Sequence, residues 1–332
     1  MRLRWAAFVL SASSLFTSCG SQARPQARID SPAFEFLFER RPFQVDCDDR
    51  TPGQPPKPGV SLHSGNEAPF LRTHSEEVTL PSHDAPALTI TADPSHQIFI
   101  GGSDRSDWSI RYCARGEGNS EAEARGNIDL VSMSILAATV SLKDSQILVL
   151  GERPQSSGTF VLDAPAEAPI VIHASFASVE VHDMTGPVRI AAAHGRAGIL
   201  DTTGQVDAAA YMIDYAGSRG RVNLSAEFGI NVKMTATRFE GTMMAWSQGP
   251  LRVLVPPGFM TPFQAVVNRP QDFVCRADFC GKLKHEKNNS LDIFTYLGDA
   301  GTAPGLMHWR SEQATVVIDT TVPVTHGKSG QR

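Results

Sequence analysis

Apolar and polar positions alternate along most of the chain, in runs too short for helices. Leu88-Thr-Ile-Thr-Ala92, Gln97-Ile-Phe-Ile-Gly101 and Trp108-Ser-Ile-Arg-Tyr-Cys113 each put apolar side chains on one side of an extended segment. Ile128–Ser134, Ala138–Leu142, Gln146–Leu150 and Thr159–Leu162 continue the series, most of them bounded by Gly, Pro, Asp or Ser. After Ala164-Pro-Ala-Glu-Ala-Pro169 the runs become regular. They are Ile170–Ala174, Ser178–His182, Pro187–Ile190, Gly198–Leu200, Gln205–Ala208, Arg221–Leu224, Gly229–Met234 and Pro250–Val255. Pro256-Pro-Gly-Phe259 stops the pattern, because proline cannot donate to a strand ladder. Glu117–Asn127 is the one helix-like piece in the body. The pattern predicts an all-β protein.

Within Val179–Val255 one phrase recurs five times: a glycine, one residue, then apolar–polar–apolar. The copies begin at Gly186, Gly204, Gly220, Gly241 (the poorest) and Gly249. Gly186 to Gly204 is 18 residues, Gly204 to Gly220 is 16, and Gly220 to Gly241 is 21. A four- or five-residue strand with one apolar side cannot bury that side alone, whereas stacked copies share an interior. The expected architecture is a β-solenoid, right-handed and parallel β-helix-like, with two short strands per turn and turns roughly 4.8 Å apart. Glycine at each corner would supply the positive φ of a tight bend. The alanines at 191–193 and 208–210 would suit a narrow interior. The competing fold, an antiparallel sandwich, calls for hairpin signals such as Asn-Gly at strand ends, and this stretch has none.

Three pieces of the chain resemble the bacterial putative-adhesin β-solenoid family, a domain of unknown function common in exported proteins. Ile98-Phe-Ile-Gly-Gly-Ser-Asp-Arg-Ser-Asp-Trp-Ser-Ile-Arg resembles its entry strands, Val179–Arg252 its glycine-corner repeats, and Arg252-Val-Leu-Val-Pro-Pro-Gly-Phe its strand-then-Pro-Gly phrase. The resemblance covers roughly residues 85–270. It implies a right-handed β-solenoid with an adhesive or surface role and brings no catalytic residues. Cys275, Cys280 and the tail lack the glycine-corner phrase.

The N-terminus sets the address. Met1-Arg-Leu-Arg-Trp5 is cationic, Ala6–Phe16 is apolar but too short to span a bilayer, and Thr17-Ser18-Cys19-Gly20 follows. This is signal-peptide anatomy. The small residues before Cys19 resemble the bacterial lipobox, with Phe16 where that pattern prefers Leu. The resemblance implies cleavage before Cys19 and a lipid on its sulfur, and Gly20 fits the outer-membrane route. Plain export without lipid is the alternative. The expected organisation is a signal peptide (1–18), a Pro-bearing tether (19–33), an extension with a loop (34–86), the solenoid (87–270), and C-terminal strands with a disulfide loop and tail (271–332). Phe34–Glu39 alternates as an edge strand would, and residues 50–59 hold four prolines. No later stretch approaches the 18 apolar residues of a membrane-spanning helix.

Composition is that of a globular protein: 332 residues, 41% hydrophobic, 20% charged, with a formal net charge of −5. No basic run or aromatic–basic interleaving points to nucleic acid. Export leaves four cysteines besides Cys19, an even number that favours disulfides in an oxidising compartment. Cys275 and Cys280 are close enough to pair locally, leaving Cys47 for Cys113, one of three possible connectivities. Zinc would need tighter Cys/His clustering than His285 offers.

Asp183-Met-Thr-Gly186 and Asp201-Thr-Thr-Gly204 are one turn apart. Stacked carboxylates at such a spacing could serve glycoside hydrolysis or hold Ca²⁺. The simpler expectation is that both aspartates shape corners. His182 alternates away from Val179 and Val181, which places it on the surface. Arg189, Gln205, Asp207, Arg221, Asn223, Asn231, Lys233 and Arg252 occupy outward repeat positions, as a solvated face or as a strip for a glycan or protein. No hydrolase, zincin, phosphate-loop or dinucleotide motif occurs. The sequence thus predicts a membrane-anchored envelope module with an envelope protein or glycan as partner, no cofactor and no catalysis. The other readings are a β-helical carbohydrate-active enzyme using Asp183 and Asp201, and a periplasmic partner of a regulatory system.

Overall fold

The computed structural model describes residues 70–81, 87–92, 97–128, 139–142, 145–150, 156–298 and 306–321, all within the unit Phe38–Arg332. The signal peptide, Cys19 and its tether, the Phe34–Glu39 strand, the 50–59 loop and Cys47 lie outside these residues.

The described chain is all-β apart from short helical pieces. Its strands are β1 (Phe70–Pro81), β2 (Leu88–Ala92), β3 (Gln97–Ser103), β4 (Asp107–Gly118), β5 (Thr139–Leu142), β6 (Ser145–Leu150) and β7 (Ser156–Pro165). Next come β8 (Ile170–Ala174), β9 (Ser178–His182), β10 (Val188–Leu200), β11 (Gln205–Gly217), β12 (Arg219–Met234), β13 (Glu240–Ser247) and β14 (Leu251–Val255). The last are β15 (Phe263–Val267), β16 (Phe273–Cys275), β17 (Lys284–Asn288), β18 (Leu291–Tyr296), β19 (Leu306–Ser311) and β20 (Val316–Thr320). Residues 121–128 are helical, a shorter helix than the Glu117–Asn127 pattern suggests, because β4 runs on to Gly118. Ser120 Oγ accepts the Glu123 N–H and the Glu123 carboxylate accepts the Asn119 N–H, which marks the helix start.

Two ladders of parallel strands run through one open sheet. The first reads β6, β2, β8, the front half of β10, the front halves of β11 and β12, then β13, β19 and β15. The second reads β7, β3, β9, the rear halves of β10, β11 and β12, then β14, β20 and β16. Between Ile170 and Val255 the pairs are parallel, so an antiparallel sandwich does not describe this stretch. The register repeats the glycine spacing: Val188 pairs with Val206, Val206 with Val222, and Val222 with Met243. The breaks in register after Ala192 and Ala210 are where the chain crosses from the first ladder to the second.

Period-2 alternation decides what is inside. Val188, Ile190, Val206, Val222 and Leu224 of the first ladder are buried, as are Val179, Val181, Ile199, Ile213 and Val232 of the second. They belong to one core. Branched side chains suit these half-buried strands, and full burial of each contributes about 1.5–3 kcal/mol. Of the clustered alanines, Ala192, Ala208 and Ala210 are buried, while Ala193 and Ala209 are exposed and Ala191 is half-buried.

Strand order departs from chain order at both ends. The pair β2–β3 lies between β6–β7 and β8–β9. The pair β19–β20 lies between β13–β14 and β15–β16. Antiparallel strands extend the ends: β5 beside β6, β4 and β1 beyond β7, and β18 and β17 beyond β15. Residues beyond 270 therefore supply strands to both ladders.

Candidate functional site: a groove across the face of the first ladder

The corner glycines stack, and close approach is what most of them serve. A Cβ on Gly186 would lie 2.1 Å from the Glu167 carbonyl oxygen, and one on Gly204 2.3 Å from that of Gly186. One on Gly249 would lie 1.5 Å from the Phe228 oxygen. The expected positive φ is found at Gly220 (124°) and Gly241 (126°), where a side chain would also meet the carbonyl of the preceding corner. For Gly186, Gly204 and Gly249 the expectation is corrected: backbone crowding from the next strand level, and not a left-handed φ, excludes a side chain.

At the Gly186 and Gly204 corners the positive φ belongs instead to the aspartates three residues earlier. Asp183 has φ 54° and Asp201 φ 47°, the left-handed region that aspartate tolerates better than most residues. Leu200 pairs with His182, so the two aspartates that follow occupy equivalent corners one strand level apart. The Asp183 N–H bonds the Leu200 carbonyl and the Asp201 N–H that of Ala216. Thr202 Oγ1 donates to the Leu200 carbonyl at 3.3 Å. Burial, and then the Asp201 charge, raise the Tyr215 phenol above its ordinary range. Among the described residues no group of three His, Cys, Asp or Glu side chains is placed to hold a metal ion.

His182 is buried, with its ring 3.8 Å from Glu180 on the outer side of the second ladder. The expectation of a surface residue is corrected: alternation does turn the side chain outward beside Glu180, yet the residue is only 8% exposed. Asp214 lies on the same side, 1% exposed, ion-paired to Arg196 and accepting a 2.7 Å hydrogen bond from Asn231. Asn231, Lys233 and Arg252 belong to this face too, one residue in two along β12 and β14. The outward strip read from sequence is therefore two strips.

The other strip carries the candidate site. On the outer face of the first ladder, one column across the strands reads Arg189, Asp207, Asn223, Met244 and His308. The column two residues further along each strand reads Ala191, Ala209, Ser225, Trp246, Arg310 and Val266. Three small side chains in a row followed by a tryptophan leave a recess, and these residues line an open groove of about 990 Å³. The groove crosses six strands, roughly 24 Å at the usual strand spacing. Met244 is 59% exposed within it.

The polar wall is tied together. Asn223 Nδ2 and Gln205 Nε2 each donate to the Asp207 carboxylate at 2.6 Å. Burial raises the Asp207 pKa, but those two bonds and the charges of Arg189 and Arg221 outweigh it and hold the carboxyl below its usual range. Arg310 meets Glu312 at 3.2 Å. Sequence reasoning found Arg189, Asp207 and Asn223 and missed Met244, Trp246, His308 and Arg310. Alternation through Thr242-Met-Met-Ala-Trp-Ser247 already pointed to Met244 and Trp246, but this is the poorest copy of the repeat. His308 and Arg310 lie beyond the repeats and join the face only through the insertion of β19.

The Cys275–Cys280 disulfide is present, and Cys113 is also disulfide-bonded. Cys47, its expected partner, lies outside the described residues.

No protein-family model matches this chain, and no curated protein matches it. Two solved structures are similar to it. One is a putative cell adhesion protein from Clostridium sporogenes, 8% identical, covering 75% of this chain and 99% of that one with a TM-score of 0.28. The other is a putative adhesin from Bacteroides fragilis, 11% identical, covering 75% and 97% with a TM-score of 0.29. Likeness at this level establishes neither a shared fold nor a shared role.

Proposed function

We propose that the protein is a lipid-anchored envelope module whose two parallel ladders are the faces of a right-handed β-solenoid, and that it binds an envelope partner without catalysis. The groove on the first ladder is the observation that carries the reading. It is long, open, and built from the outward positions of consecutive strand levels. A rigid β lattice holds such a surface in place without ordering it on binding. The Thr17-Ser-Cys-Gly20 sequence supports the anchor at Cys19, and the signal-peptide pattern supports export.

The anchor is tested by fractionation. Cys19→Ser should move the mature protein from membranes to the soluble fraction, and unchanged membrane association would overturn that part. The binding role is tested on immobilised mature protein with envelope extract. Ala209→Trp, which fills the recess from an exposed position, should release components that the native protein retains. A carbohydrate-active enzyme reading would require Asp183→Asn with Asp201→Asn to abolish a glycan-cleaving activity. The corner conformations of both aspartates support a structural role instead.

A further inference from the structure

We propose that the Cys275–Cys280 bridge is a redox-sensitive latch: reduction by a dithiol opens residues 276–283 and uncovers the apolar end of the core, while the two ladders stay folded. The proposal goes beyond the binding role and is independent of it. It starts from what the loop covers. β16 is the last described strand of the second ladder, and the first ladder continues past β15 only into antiparallel β18 and β17. At that end the loop after β16 lays Phe279 over Phe259, Phe263 and Tyr296, with ring centroids 6.1, 5.6 and 4.6 Å away. All four rings are buried. Stacked-strand proteins need such a cap, because the last level has no further level to bury its apolar side.

The cap is folded mainly on itself. The Cys280 N–H donates to the Ala277 carbonyl, that of Lys282 to Phe279, and that of Leu283 to Cys280. Its ties to the body include the Arg276 N–H on the Ile318 carbonyl, the Gly258 N–H on the Asp278 carboxylate at 3.2 Å, and the Arg276–Asp319 ion pair at 3.4 Å. β16 pairs with β20 over three residues. Without the bridge, loop closure alone makes opening roughly thirtyfold more frequent. β20 keeps β14 on its other side, so the opening stops at β16.

The bridge lies within reach of a thiol. Cys275 and Cys280 are half-buried, whereas Cys113, also disulfide-bonded, is fully buried. Cys280 Sγ accepts the Ala277 N–H at 3.0 Å, a bond that stabilises negative charge on that sulfur and marks it as the leaving group. A thiolate of the dithiol attacks Cys275 Sγ and forms a mixed disulfide. The electron pair of the broken S–S bond goes to Cys280 Sγ, which takes a proton. The donor's second thiolate then attacks the donor sulfur of the mixed disulfide, and Cys275 leaves and is protonated in turn. The donor departs oxidised to its own disulfide, and the protein holds both cysteines as thiols.

The test treats the mature full-length protein with dithiothreitol under native conditions. Alkylation with mass spectrometry follows the thiols, far-ultraviolet dichroism the fold, and a dye for apolar surface the cap. Trypsin cleavage after Arg276 and Lys282, both exposed, reports opening of the loop. Cys275 and Cys280 should be alkylated before Cys113. At that stage the dichroism should be unchanged and the dye emission raised. Cleavage at the two sites should quicken roughly thirtyfold, because it follows the population of the open form. Reoxidation should reverse each change. Cys275→Ser with Cys280→Ser should behave as opened without reductant and ignore dithiothreitol; if that variant does not fold, the reduced native protein decides by itself. Reduction of Cys113 first or together with the pair, loss of the dichroism along with the bridge, or dye emission and cleavage that ignore reduction overturns the proposal.

Discussion

Single residues in this protein are constrained mainly by what stacks above and below them. Gly241 combines a φ of 126° with a backbone oxygen 2.1 Å from where a Cβ would sit, so its substitution has no local escape. Gly241→Ala should destabilise the protein by more than about 2 kcal/mol, whereas Gly281→Ala, with nothing within 4 Å, should be nearly neutral. Thermal unfolding of the two variants checks this. Asp207 makes a different prediction. Its carboxyl is held below the usual range in the folded state, so its ionised form favours folding above the unfolded pKa of about 4 and that contribution fades as pH falls through the folded value. Asp207→Asn should therefore be less stable than the native protein at neutral pH, with the gap closing in acid. A gap that widens in acid would refute the assignment.

Strands were more legible than corners. The apolar–polar period located β8, β9 and β14 almost residue for residue and both ends of β10 and β12, since each strand buries one side, but it reached only the first four residues of β11 and set out no run over β13. Corner conformation was not legible, because the crowding at Gly186 and Gly204 comes from residues one level away, and the left-handed turns fell to Asp183 and Asp201. The alanine clusters misled for a related reason. Ala191 and Ala209 look like filling for a narrow core, yet the period that buries Ala192, Ala208 and Ala210 turns these two outward. The half of the groove drawn from β10 to β12 was in the sequence as an outward strip. The half containing His308 and Arg310 was not, because strand insertion is a long-range choice. At this scale the Cys275–Cys280 bridge has a defined task. It closes the turn after β16, the outermost strand of the second ladder, and holds the buried Phe279 against Phe263 and Tyr296. Serine at both positions should cost about 2 kcal/mol by loop closure and loosen β16 first, which hydrogen exchange at residues 273–275 would register.

The molecule as a whole is interlocked at both ends. Met307, Trp309, Val316 and Ile318 of β19 and β20 are fully buried between two other strand pairs. Each contributes about 1.5–3 kcal/mol, and together they approach the 5–15 kcal/mol that stabilises a typical domain. A chain ending at residue 298 should thus fail to reach a cooperative fold, in contrast to a repeat array that sheds its last unit and keeps the rest. Far-ultraviolet dichroism and a lost unfolding transition would show it.

The interleaved ends also decide how the protein would bear load. A strand at a sheet edge peels away one hydrogen bond at a time when its end is pulled. β20 is held by β14 on one side and β16 on the other, parallel to both, so a force drawn along it from its C-terminal end must slide it against two neighbours at once. The bonds on both flanks are then strained together in shear. β3, between β7 and β9 at the opposite end, is clamped in the same way. Traction from the other end of the described chain meets β1, which among the described strands pairs with β4 alone, so the body resists pulling at β20 more than at β1.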